Sequence, residues 1–206
     1  QISRETYYVQ FQLFDVFKER QIIGKRYEVP ASGLTRLGHQ ISDQVYQKLT
    51  GEKGIFSTRL AYVTETKGGD GSKRYSLQVS HVDGVAPRTV LHSKQPILFP
   101  SWSPSGDRVS YISFENDKAE VFVHEIKNGH RKSVATTIGL GGTSWSPDGS
   151  MLAFTLSKLG KMEIHTLDLN ANRLTQVTFK SRTDNRQPTW MPNNKEIVFV
   201  SGEGSQ

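Results

Sequence analysis

Cysteine is absent from the chain. Disulfides, thiolate nucleophiles and cysteine-based zinc sites are therefore excluded together. A fold of about 200 residues is stable without crosslinks in any compartment, so this leaves the location open. No apolar run approaches the roughly 18 residues that span a bilayer, and the chain is not expected to cross a membrane. QISRETYYVQ lacks a charged segment followed by an apolar one, so no secretory leader is read in it. Hydrophobic residues make up only 35% of the 206, against eighteen glycines and eight prolines. That balance, with a mean hydropathy of −0.51, suits many short strands separated by turns.

Acidic residues are in the minority, 20 against 26 basic ones, for a net charge of +6. The basic residues are scattered among acids, and the densest clusters, HRK at 130–132 and KSR at 180–182, are short and fall at expected turns. Nucleic acid favours a continuous basic stripe with interleaved aromatics, so no nucleic-acid partner is expected; a basic surface can equally steer an acidic protein.

Catalytic motifs are missing as well. There is no GxSxG nucleophile elbow and no HExxH zinc helix. The six histidines (His39, His81, His92, His124, His130 and His165) show no i,i+4 pairing. His124 and His165 hold matching places in two repeats and are expected at a strand surface or edge. GGDGSKR, 68–74, lacks phosphate-loop spacing and joins two expected strands, so it reads as a hairpin turn. Asp83, Asp148 and Asp168 lie in or beside turns, where aspartate bonds local backbone. No catalytic residue, cofactor or metal site is expected.

What is present is a repeat. PSWSPSGDRVSYI, TSWSPDGSMLAF and PTWMPNNKEIVFV place all three tryptophans, Trp102, Trp145 and Trp190, before the same kind of turn, in steps of 43 and 45 residues. A period of that size marks stacked supersecondary units. Within the turn, Pro104 or Pro147 arrives with φ already near −65°, and Gly106, Gly149 or Asn194 supplies the positive φ that closes it. A second strand comes after each turn (Val109 to Ile112, Met151 to Leu156, Ile197 to Val200). Third strands, EVFVHEI and EIHTLDL, and fourth strands, RKSVATT and RLTQVTF, come after further turns. Four short antiparallel strands in about 44 residues is the organisation of a β-propeller blade. No 3.6-residue stripe supports a helical solenoid. The tryptophans are read as packing residues filling the wedge between blades, each able to bury about 150–250 Å².

Residues 57–93 resemble an earlier blade, with STRLAYVTET, RYSLQVSHV and PRTVLHS as its second to fourth strands and no Trp-Ser-Pro strand before them. The expectation is a mainly β fragment: a partial β-propeller of two complete blades, one lacking a strand, and half of a fourth. Before it, YYVQFQLFDVF and IIGKRYEV read as a hairpin around KERQ. Residues 32–50 read as a helix with Leu34, Leu37, Ile41, Val45 and Leu49 on one stripe, stopped by Gly51. A hairpin and one helix cannot bury both faces alone. The expected organisation is therefore residues 1–52 as the C-terminal part of an α/β domain and residues 53–206 as the partial propeller.

HQISDQVYQKLTGEKGIFSTRLAYVTET, residues 39–66, resembles the domain junction of the TolB family, and QPILFPSWSPSGDRVSYISFE resembles that family's first full repeat. The resemblance covers essentially the whole chain. It implies a six-bladed propeller behind an N-terminal α/β domain, without enzymatic activity, in the periplasmic component of the bacterial Tol–Pal system. It further implies binding of Pal, the peptidoglycan-associated lipoprotein, over one mouth of the ring, a role in outer-membrane integrity and in constriction during cell division, and exploitation by group A colicins. By the same resemblance the Pal-facing positions lie in the loops entering the Trp-bearing strands: Gly139, Leu140, Gly141 and Gly142 in one, Asp184 and Arg186 in the other. An N-terminal TolA-binding segment is a family feature that this sequence does not contain. The alternative is the propeller of a prolyl-oligopeptidase-like serine hydrolase, whose Ser-Asp-His domain would lie elsewhere. A peptidoglycan-binding lectin is a third reading.

Overall fold

The computed structural model describes residues 5–136, 141–158, 160–179 and 183–202. The chain divides into two compact units, residues 1–60 with 80–87 and residues 61–79 with 88–206.

In the first unit, β1 (Thr6–Asp15) and β2 (Arg20–Pro30) form an antiparallel hairpin. β1 is shorter than expected, because Val16 and Phe17 fall in the turn. The Asp15 carboxylate causes this by accepting the N–H groups of Phe17 and Lys18 at 3.1 and 3.0 Å, which reverses the chain at once. A 3-10 turn, Ala31–Gly33, leads into α1 (Leu34–Thr50). Gly51 ends the helix in the left-handed region at φ 80°, its N–H bonded to Gln47 O, as a glycine stop requires. Of the expected stripe, Leu37 is buried, Ile41 and Val45 are half-buried, and Leu34 and Leu49 at the helix ends are exposed. The helix is fastened to the loop after it by Asp43, which accepts the N–H groups of Phe56 and Ser57. His39 Nε2 meets Asp83 Oδ2 at 2.9 Å.

The second unit is a series of small antiparallel sheets, each in chain order. β3 (Arg59–Lys67), β4 (Lys73–His81) and β5 (Arg88–Ser93) make a three-stranded sheet. β6 (Ile97–Trp102), β7 (Arg108–Ser113), β8 (Glu120–Glu125) and β9 (Arg131–Thr136) make a complete four-stranded blade. So do β10 (Ser144–Trp145), β11 (Met151–Lys158), β12 (Lys161–Asp168) and β13 (Arg173–Gln176). β14 (Asp184–Trp190) and β15 (Ile197–Gly202) begin another. Among the described residues the sheets display the expected two full blades, one of three strands and a half blade. β13 ends earlier than RLTQVTF suggests, because Val177 and Thr178 both turn their N–H groups to Ile164 O, while the Thr178 hydroxyl takes the Ile164 N–H.

The core lies between sheets, as period-two alternation dictates. Leu77 and Val79 of β4 pack with Val109 and Tyr111 of β7 and Phe122 of β8. The opposite face of the same blade, Ile112 and Val121, packs with Trp145, Leu152, Phe154 and Leu167 of the next. Trp145 is 7% exposed. Its indole N–H donates to Ser101 O at 3.1 Å, and the Arg108 guanidinium sits 4.8 Å above its ring. Trp102 packs at the edge of the preceding cluster. Trp190 is half-buried, with its backbone N–H on Ser144 Oγ.

Each reversal after a tryptophan is built alike. Gly106, Gly149 and Asn194 bond back to the carbonyls of Ser103, Ser146 and Met191, at φ 70°, 72° and 60°. Asp148 then ties two reversals together. It accepts the Ser146 hydroxyl and the Ser150 N–H, and its Oδ2 accepts Asn194 Nδ2 at 2.9 Å. Arg108 Nη2 does the same between the preceding pair, donating to Gly149 O at 3.1 Å.

His124 and His165 are not at a surface or edge; both are buried, His124 to 2% exposure. The alternation of VFVHEI explains it, since Phe122, His124 and Ile126 share the face turned to the three-stranded sheet. Neither His124 ring nitrogen has a hydrogen-bond partner among the described residues. Burial, with the charges of Arg131 and Arg88 adding to it, holds the imidazole below its ordinary pKa of 6.5. The unfolded chain then takes up this proton first, so stability falls as pH drops below about 6.5. Urea denaturation at pH 7.5 and 5.5 is expected to give a smaller loss for His124→Phe than for the unaltered chain. Trp145→Ala should cost about 3–5 kcal/mol, equivalent to a fall in Tm of about 10 °C for a protein of this size, read by scanning calorimetry.

Candidate functional site

Loops that enter the first strand of each blade lie at the end opposite the SPDG-type reversals. Gly139 and Leu140 fall outside the described residues. Gly141 is buried, and a Cβ added there would lie 2.8 Å from Thr155 Oγ1 of β11. Its lack of a side chain lets the loop pass close to that strand. Gly142 is half-buried, and a Cβ on it would come 3.8 Å from Phe99 Cβ, so this segment meets β6 of the preceding blade.

Asp184 and Arg186 do not lie in a loop as expected: both belong to β14 and pair with Gly202 and Val200 of β15, and polar anchors hold the start of this strand. Asp184 accepts the Met162 N–H at 3.1 Å and the Arg186 guanidinium on its other oxygen. The Met162 amide first, then Arg186, hold this carboxyl below the usual carboxylate range. Asn185 is buried and donates to Glu163 Oε2 at 2.9 Å; the same carboxylate oxygen accepts the Thr178 hydroxyl. Asp184 and Asn185 thus fix β14 to the start of β12, while Arg186 stays exposed. Since Ser157 pairs with Met162 across β11 and β12, Gly141 on Thr155 and Asp184 on Met162 lie at one end of this blade.

At this end Phe99 was not singled out from the sequence, and Gln187 only as the last residue of the segment TDNRQ, 183–187. Phe99 and Gln187 each stand three positions before a tryptophan and directly before a proline. Both take φ 53°, a region that non-glycine residues avoid. In both strands the register shifts at this place, between Leu98 and Ser101 and between Arg186 and Thr189. Proline cannot donate to the ladder, so a bulge forms there. Phe99 is left 45% exposed. The repeated Phe-Pro-x-Trp and Gln-Pro-x-Trp pattern is the signal that could have located them.

Below this surface the inner strands of neighbouring blades are joined. Ser110 Oγ and Thr143 Oγ1 are buried 2.6 Å apart, and the Trp145 indole reaches Ser101 O. Among the described residues there is no group of three or more His, Asp or Glu placed to hold a metal ion. The arrangement offers an exposed guanidinium, an exposed phenyl ring and a rigid base, which suits protein recognition.

A sheet series with four-stranded repeats, Trp-bearing first strands and left-handed reversals defines a β-propeller. Residues 46–206 match the family described as the TolB beta propeller domain, and the chain belongs to that family. It is 53% identical over 139 residues to the Tol-Pal system protein TolB of Nitrosococcus oceani, covering 68% of this chain and 32% of that one. With the Tol-Pal system protein TolB of Ruthia magnifica it shares 38% identity over 179 residues, covering 86% and 42%. The crystal structure of TolB from Acinetobacter baumannii superposes with a TM-score of 0.85 at 36% identity, covering 94% of this chain and 48% of that one. The chain thus spans less than half the length of these relatives.

Gly141→Ala would force a Cβ onto Thr155. A cost of about 1–3 kcal/mol is expected for such overpacking, measured as a fall in the urea midpoint. The double variant Gly141→Ala with Thr155→Ala should recover part of it.

Proposed function

We propose that the protein acts without catalysis as a periplasmic scaffold of the Tol–Pal system and binds Pal through the loop end of its blades. Residues 1–52 would then close the N-terminal domain and 53–206 open the propeller. Membership of the TolB family supports the system. The observation that carries the surface is the exposed Arg186 guanidinium, fixed by Asp184, which is itself bonded to the Met162 amide.

An arginine oriented in advance loses less freedom when a partner carboxylate or carbonyl meets it. Phe99 supplies the apolar contact that such sites need near their centre. Gly141 and Gly142 would add to this surface, and Gly139 and Leu140 belong to the same proposal by resemblance alone. No residue of the site would bond a substrate covalently. In the envelope this binding supports outer-membrane integrity and constriction during division, and colicins exploit the same protein.

Arg186→Glu and Phe99→Ser, each in the full-length protein, are expected to weaken Pal by about tenfold in calorimetric titration, the size of a moderate interface contact. The Tm should be unchanged. Unaltered affinity in both variants would remove this end of the blades from the interface.

A further inference from the structure

The basic cluster at 130–132 finds no use in Pal binding, since it lies at the opposite end of the blade from the loops. There, between the two complete blades, is a cavity of about 260 Å³. Its floor is apolar, with Val123, Val134 and Leu169, which also pack against the inter-blade core. Its rim carries Arg108 from the start of β7 and His130 and Lys132 from the entry into β9, opposed by the carboxylate of Glu125 in the lining and that of Asp107 beside Arg108. The Glu125 carboxylate already accepts Asn128 Nδ2 at 2.6 Å.

The repeat explains why the cations converge. Lys132 lies opposite Val123 in the β8–β9 pairing, so both side chains turn to the face that meets the next blade. Arg108 begins β7 and is pinned from below by the Trp145 ring and Gly149 O. Nη2 is spent on that carbonyl and Nε faces Asp107 Oδ1 at 3.7 Å, yet a guanidinium has five N–H donors in a fixed fork, so others remain to offer. His130 is set by its own backbone N–H on Asn128 Oδ1 at 2.9 Å. The result is an oriented arginine and a lysine over an aliphatic floor, in a space just below the usual range of small-molecule pockets, about 300–1,000 Å³, so only a short ligand fits.

We propose that this cleft binds a small carboxylate with a short aliphatic body. Its charge lies between Arg108 and Lys132, with a hydrogen bond from His130, and its aliphatic part rests on Val134 and Leu169. A chain-terminal residue of a peptide and a free carboxylic acid share this chemistry. All the groups invoked belong to the two complete blades, so the site does not depend on the loop end, on Pal, or on residues beyond those blades.

The test is a titration of the amide resonances of the full chain with three probes: N-acetylalanine, N-acetylalanine amide and inorganic phosphate. Saturable shifts are expected at 125–134 and 169–172 with N-acetylalanine, none with its neutral amide, and weaker ones with phosphate. Lys132→Gln should weaken N-acetylalanine by about two- to fivefold, the loss of one exposed charge contact, without changing the Tm. A response to the amide equal to that of the acid, an unchanged affinity in Lys132→Gln, or no saturable shift overturns the site. Phosphate binding as tightly as N-acetylalanine overturns the role of the aliphatic floor. Unchanged Pal affinity in Lys132→Gln keeps this result separate from the loop-end reading.

Discussion

Everything in the second unit depends on how one sheet covers the face of the next. A four-stranded sheet is apolar on both sides and cannot bury either alone. Val109 and Tyr111 on one side of the second blade, and Ile112 and Val121 on the other, are satisfied only by neighbours before and after it. The twist of successive sheets leaves a wedge, and an indole is large and stiff enough to fill it. Trp145 does so with three kinds of contact at once: apolar packing, a hydrogen bond to Ser101 O, and the Arg108 cation above its ring. Stability is then nearest-neighbour in character.

The same constraint divides the blade ends by role. At one end the reversals interlock through Asp148 with Asn194 and through Arg108 with Gly149, and spacing between blades is set there. At the other end the first strands enter through bulges at Phe99 and Gln187. Backbone strain of that kind persists only where its surroundings over-determine it. Here the buried bonds of Ser110 with Thr143 and of Asn185 with Glu163 provide that support.

Much of the fold was legible because local chemistry and global packing agree. The step between Trp102, Trp145 and Trp190 marked the blades, and the proline and glycine of each turn named its conformation, down to Asn194 standing in for glycine at φ 60°. Other features depended on partners that a linear reading does not display. His124 looks like a polar edge residue until its face is seen to be shared with Phe122 and Ile126. Val16 and Phe17 looked like strand until Asp15 turned the chain. At the candidate site, Arg186 and Asp184 entered only through the resemblance and their role is a proposal, whereas Phe99 was hidden because its exposure results from a bulge. Gly141 was legible as a loop residue, but its close approach to Thr155 is a matter of tertiary contact.

The blades thus have two ends of different build: interlocked reversals that hold them together, and bulged, rigidly backed entries to the first strands, which in the proposed function would meet Pal. Hydrogen exchange of the full-length protein with and without Pal separates them most directly. The account predicts slowed exchange in segments 97–101, 141–144 and 183–189, with segments 103–108 and 146–151 unchanged. Slowing confined to the reversals, with the loop segments exchanging as before, would contradict it.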